Sequence, residues 1–167
     1  MTDSSETIGG GDNFSKLSKS GIKAAEAVSQ EIRFMIHLAD GGDNALYLRI
    51  FNELLAESLE NFGIIGMSYY PYWHGSFKEF KYNINDISQW YDKEVAVLET
   101  GYGYTLKNGD DLSNIFYQEL VEIIDGFDGQ DDNDYPASIK SQTEIIHRIM
   151  KIVHQVPNHK GFGVFYW

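Results

Sequence analysis

The sequence predicts an α/β fold with a parallel sheet. Three observations predict it: four short apolar runs, helical stripes of apolar residues between them, and turn residues where one gives way to the next. Strands separated by helix-length connections pair in parallel through right-handed crossovers, because a short link cannot return the chain to the same end of the sheet.

In chain order, the Gly-rich start at Gly9 to Gly11 reads as a flexible loop. Phe14, Leu17, Ala24, Ala25 and Val28 then recur at roughly helical spacing with Lys and Ser between them. RFMIHLA, from Arg33 to Ala39, is the first strand and stops at Asp40, Gly41 and Gly42. Asp43 or Asn44 caps a second helix, whose stripe is Leu46, Ile50, Phe51, Leu54, Leu55 and Leu59. FGIIGMS, from Phe62, reads as a buried second strand, a helix runs from about Phe77 to Tyr91, and EVAVLE is a third strand ending at Glu99. A polar stretch containing GDDLSN and DGQDDNDYP leads to a helix from about Ile139, with Ile145, Ile146, Ile149, Ile152 and Val153 on its apolar face. GFGVFYW is the fourth strand.

A chain of 167 residues with 43% hydrophobic content is of single-domain size and can build a core. Its net charge of −12 argues against nucleic acid, whose binders neutralise phosphates with Lys and Arg, and against an anionic membrane surface. A neutral polysaccharide is indifferent to that charge. With no cysteine there is no disulfide framework, thiolate metal site or Cys nucleophile. MTDSSETIGGGDN lacks the basic start and apolar core of an export signal, and no apolar run is long enough to span a bilayer. The chain as written is therefore expected to be soluble. No Gly-x-Gly-x-x-Gly follows a strand and no Gly-Lys-Ser or Gly-Lys-Thr loop is present, which removes support for nucleotide binding.

In β/α folds of the barrel type the chemistry collects where strands hand over to their loops. Here those positions hold His37, then Ser68, Tyr69 and Tyr70, then Glu99, then Tyr166 and Trp167. Each has a plainer alternative: His37 as a satisfied core histidine, Trp167 as core packing, Glu99 as one half of a surface salt bridge. A carboxylate ending VAVL is costly to bury unless it is paired or hydrogen-bonded at a site. SYYPYWHG sharpens the case, because four aromatic rings, a Pro and a His follow a strand where a solvated loop is normally polar.

SYYPYWHG is similar to the sixth-strand segment of the galactanases of glycoside hydrolase family 53. FMIHLADGGDN resembles the family's fifth-strand segment and VAVLETGYGYTL its seventh, while YPASIKSQ resembles the approach to the eighth helix and GFGVFYW the eighth strand. The resemblance implies the C-terminal half, about four βα units, of a TIM (β/α)8 barrel. It implies hydrolysis of internal β-1,4-galactosidic bonds of galactan or arabinogalactan, outside the cell, with retention and two glutamates. Glu99 matches the nucleophile. His37, Tyr70, Trp73, His74 and Trp167 fall on segments that line the sugar site, with Trp167 as the stacking platform at the cleavage point.

Departures from the family pattern carry their own expectations. The family's acid/base Glu ends a strand in an Asn-Glu pair, whereas the Asn52–Glu53 pair here falls inside an amphipathic helix. The chain is therefore expected to lack that acid, to be truncated at both ends of the catalytic domain over residues 1–167, and to be inactive alone. The competing readings are a non-catalytic galactan-binding chain and a half-barrel that self-associates through its exposed edges. No cofactor is required. Some bacterial members hold calcium after the nucleophile strand, and GDDLSN offers Asp110 and Asn114 as oxygen ligands, although an ordinary Asp/Asn turn explains the same residues.

Overall fold

A computed structural model of the chain describes residues 10–109, 111 and 135–167. The elements are α1 (Gly10–Glu26), β1 (Met35–Leu38), α2 (Asn44–Ala56), β2 (Ile64–Ser68), α3 (Phe77–Tyr91), β3 (Glu94–Thr100), α4 (Ile139–His154) and β4 (Gly161–Tyr166), with a 3-10 turn at Pro157–His159. The strands form one sheet in the order β1-β2-β3-β4, every neighbouring pair parallel. This is the α/β architecture that the alternation of apolar runs and helical stripes predicts.

One face of the sheet carries the core. Ile36, Ile65, Met67, Val95 and Val97 alternate along the strands and meet Phe51 and Leu54 of α2, Phe80, Ile84 and Ile87 of α3, and Ile145 and Ile149 of α4, all buried. On the opposite face Gly66 makes room for its neighbours: a Cβ there would lie 2.6 Å from Leu98 Cδ1 and 2.8 Å from Met35 Sδ. Those two side chains close over β2 on that face.

Local chemistry sets the helix starts. Of the two candidate caps for α2, Asp43 is the one used, its side chain accepting the Leu46 N–H at 2.9 Å. Ser76 and Glu79 form a reciprocal capping box at α3, and the Ser76 N–H that Glu79 accepts holds its carboxyl below the usual range.

Helix α1 departs from the sequence reading in two ways. It begins at Gly10, inside the Gly-rich run expected to be a loop. Glycine in a helix costs about 1 kcal/mol relative to alanine, but helical φ and ψ remain open to it, and the first-turn N–H groups have no intrahelical partner in any case. The apolar stripe expected to pack is also turned outward: Phe14, Leu17 and Val28 are exposed, and the buried positions are Ser15 and Ile22. Among the described residues helix α1 packs mainly against α2, so only a narrow stripe of it is covered.

Candidate active site

Because the strands are parallel, the C-terminal ends of all four lie along one edge of the sheet, and His37, Tyr70, Glu99 and Trp167 stand at or just beyond those ends. Which face each side chain takes depends on register. Strict alternation along VAVLE would send Glu99 to the same side as Val95 and Val97, into the helices. The ladder prevents this. Met67 pairs with Val97, but Ser68 pairs with Glu99, so β3 carries one extra residue. The same excess appears against β4, where Val97 pairs with Val164 and Thr100 with Tyr166. This bulge turns Glu99 to the face that Gly66 and Ser68 share, away from the helix layer, where it is half-buried.

The other expected residues arrange themselves around it. His37, level with Gly66 in the ladder, is exposed, and its Nε2 lies 2.8 Å from the Ser68 hydroxyl. Tyr70 is half-buried. Burial first, and then the charge of the Glu99 carboxylate, push its phenol above the ordinary value. Trp167 donates its backbone N–H to the Thr100 carbonyl at 2.9 Å, which extends the β3–β4 ladder, while the residue remains 84% exposed. It is therefore not a core tryptophan among the described residues.

The aromatic loop is less open than its composition suggests. Tyr69 and Tyr72 are buried, Tyr69 stacking on Phe80 at 4.0 Å and donating its hydroxyl to the Gly75 carbonyl at 3.0 Å. Trp73 points outward. The Trp73 and His74 N–H groups both donate to the Tyr70 carbonyl at 2.9 Å, folding the loop back on itself.

His74 is the hinge pin of this corner. Its Nδ1 accepts the Tyr70 N–H at 3.2 Å, and its Nε2 lies 3.4 Å from Asp40 Oδ1 in the turn after β1. The tautomer protonated on Nε2 satisfies both contacts; protonation on Nδ1 would instead donate to the Ser68 carbonyl at 3.1 Å and deprive Tyr70 of its acceptor. Burial holds His74 below its ordinary value, against Asp40, the Ser68 carbonyl and Glu99, which favour the charged form. On acidification the unfolded chain consequently takes up this proton first. The stabilisation is complete above about pH 6.5 and is lost as pH falls toward the folded value. Urea titrations at stepped pH should show that loss, and His74→Gln should flatten that part of the profile; an unchanged slope would remove His74 as its source.

Sequence reasoning did not foresee the roles of Ser68 and Asp40 in this arrangement. Ser68 joins His37 through its hydroxyl and the β1–α2 turn through its carbonyl, which accepts the Gly41 N–H at 2.9 Å. Asp40 reaches His74 across 34 positions of sequence, with no local pattern to announce it. Asn52 and Glu53 lie on the exposed surface of α2, Glu53 beside Arg49 and Asn52 accepting the Tyr91 hydroxyl, away from the strand ends. Asp110 and Asn114, the candidate calcium ligands, fall outside the described residues.

Comparison with known proteins gives this edge a family. The model of glycosyl hydrolase family 53 matches residues 1–167. An uncharacterized protein in the bgaB 5′ region of Niallia circulans is 38% identical over 156 residues, which is 93% of this chain and 40% of that protein. The endo-beta-1,4-galactanase of Bacillus subtilis is 28% identical over 152 residues, 91% of this chain and 33% of its own length. Among solved structures, the GH53 catalytic domain of Ignisphaera aggregans superposes with a TM-score of 0.80 at 33% identity, over 93% of this chain and 41% of that one. The chain thus spans about two fifths of the length of such relatives, and its parallel sheet with flanking helices corresponds to part of their TIM-barrel domain. The chain belongs to glycosyl hydrolase family 53.

Proposed function

We propose that these residues form the nucleophile side of a retaining endo-β-1,4-galactanase. The single observation that carries the reading is the β3 bulge, which aims Glu99 at the open face beside Tyr70 and between the β2 loop and Trp167. In that role the Glu99 carboxylate attacks the anomeric carbon of a galactosyl unit, and the bond to the leaving oxygen breaks as a glycosyl ester forms. A second carboxylic acid protonates that oxygen, then takes a proton from the water that hydrolyses the ester. The name of the galactanase relative supports β-1,4-galactan as the substrate class.

Retention needs its two carboxyl groups about 5–5.5 Å apart. The Asn52–Glu53 pair is unsuited to be the second, because it lies within α2 and its side chains are engaged on the helix surface. We therefore expect the 167-residue chain to bind galacto-oligosaccharides without cleaving galactan. Incubation with β-1,4-galactan should leave the polymer intact; robust shortening that Glu99→Gln abolishes would mean that a second acid lies within these residues or comes from a neighbouring copy.

The sheet also presents unsatisfied surface. Among the described residues the outer edges of β1 and β4 pair with nothing, and Phe165, Tyr166 and Trp167 are exposed at one of them. Isolated chains are expected to self-associate through these edges. Sedimentation velocity should show a weight-average mass rising with concentration, and a single tightly folded monomer at all concentrations would count against this.

A further inference from the structure

Helices α3 and α4 are neighbours in the helix layer, where the Arg148 guanidinium lies 5.3 Å over the Phe77 ring. A cavity of about 340 Å³ opens between them. It is lined by Lys81 of α3, by Arg148, Lys151 and Ile152 of α4, and by Gln155 at the end of α4. Its charge is opposite to that of the molecule. The chain has 25 Asp and Glu against 13 Lys and Arg, yet three of those cations meet here and no carboxylate stands among the described lining residues. Cations converging on a concave surface raise a positive local potential that concentrates anions.

Arg148 is held in place. It donates to the Tyr135 hydroxyl, and its guanidinium lies over the rings of Phe77 and Tyr135, the second at 5.7 Å. A guanidinium carries five N–H donors in a fixed plane and an ammonium three, so these groups can grip a carboxylate while keeping neighbours of their own.

The rest of the wall narrows the kind of anion. The volume falls at the lower end of the range for small organic ligands and far above what a bare ion fills. Ile152 gives the wall an apolar patch, and the Gln155 amide can both donate to hydroxyls and accept from them. A phosphate ion would leave those two side chains unused, whereas a sugar ring bearing a carboxylate would use all five. The cavity also stands apart from the reacting edge, because α3 and α4 cover the sheet face of Val95 and Val97 while Glu99 is turned to the other. We propose that the cavity is a binding site for a uronic acid unit, its carboxylate held among Lys81, Arg148 and Lys151 and its hydroxyls at Gln155. Such a site anchors an acidic saccharide on the outside of the helix layer and does not depend on the galactan reading.

Calorimetric titration of the 167-residue chain with galacturonate, galactose and inorganic phosphate tests it. Galacturonate should bind more tightly than either of the others. Lys151→Gln should weaken galacturonate by about tenfold, the worth of one charge-assisted hydrogen bond, and Lys151→Arg should keep most of the affinity, which excludes a folding defect as the cause. Lys140→Gln removes the same charge from the first turn of α4, outside the cavity, and should leave the affinity within about twofold. Equal binding of phosphate overturns the uronate assignment, and equal binding of galactose overturns the role of the cations. Absence of galacturonate binding, or equal weakening by Lys140→Gln and Lys151→Gln, overturns the site itself. The galactan reading stands or falls separately, since it concerns the opposite face of the sheet.

Discussion

Glu99→Gln is expected to lower kcat for galactan by about 10⁴-fold or more in any longer protein that contains these residues, with oligosaccharide binding nearly unchanged. The amide keeps the size and the hydrogen-bonding reach of the carboxylate, so the groove around Tyr70 and Trp167 should persist. What it loses is the charge and the nucleophilic oxygen that form the glycosyl ester. An interaction made only on the way to the transition state appears in kcat and leaves KM alone. Removing the negative charge should also relieve part of the upward push on the Tyr70 phenol, whose other cause is burial. Steady-state kinetics on reduced galactan would measure the first effect and ultraviolet titration of the tyrosines the second. A loss of less than tenfold in kcat would dismiss Glu99 as the nucleophile.

Gly42→Ala is expected to destabilise the fold by about 3 kcal/mol and to dislodge the aromatic loop. The added methyl would stand 2.1 Å from the His74 carbonyl oxygen and 3.1 Å from its carbonyl carbon, and these are backbone atoms that no side-chain rotation can move aside. The turn must therefore retreat from the loop. The contact between Asp40 and His74, already 3.4 Å long, should be lost with it. Urea denaturation followed by far-ultraviolet circular dichroism would give the stability change, and Trp73 fluorescence should report the loop at denaturant concentrations where the rest is still folded. A change below about 0.5 kcal/mol would mean that the two segments are not in contact in solution.

Much of the fold could be read from the amino-acid order because each strand announces itself locally. IIGMS and EVAV are apolar runs between polar turns, and the Ile145–Ile149–Ile152–Val153 stripe of α4 is buried as its spacing predicts. The strand-end residues were legible for the same reason: once strands are parallel, their last residues share an edge whatever the tertiary detail. Three things were hidden. The outward rotation of Phe14 and Leu17 depends on what packs beside α1, which periodicity does not encode. The Asp40–His74 contact joins two loops that meet only after β1 and β2 are in register. The direction of Glu99 depends on pairing with both neighbouring strands, and the alternation of VAVLE taken alone sends it the wrong way.

That last point has a consequence for how such a site is gained or lost. The bulge means that the aim of Glu99 is set by counting, not by chemistry: straightening it, with Leu98 taken into the ladder, would continue the alternation of VAVLE and bring the carboxylate round to the side of Val95 and Val97. Every side chain that lines the groove would still be encoded. The sheet would keep its order and its helices, yet the carboxylate would be pressed among Phe80, Ile84 and their neighbours, where a charge is expensive. A change of pairing that straightens β3 is therefore enough to silence the nucleophile without replacing it, and it would leave a motif search undisturbed.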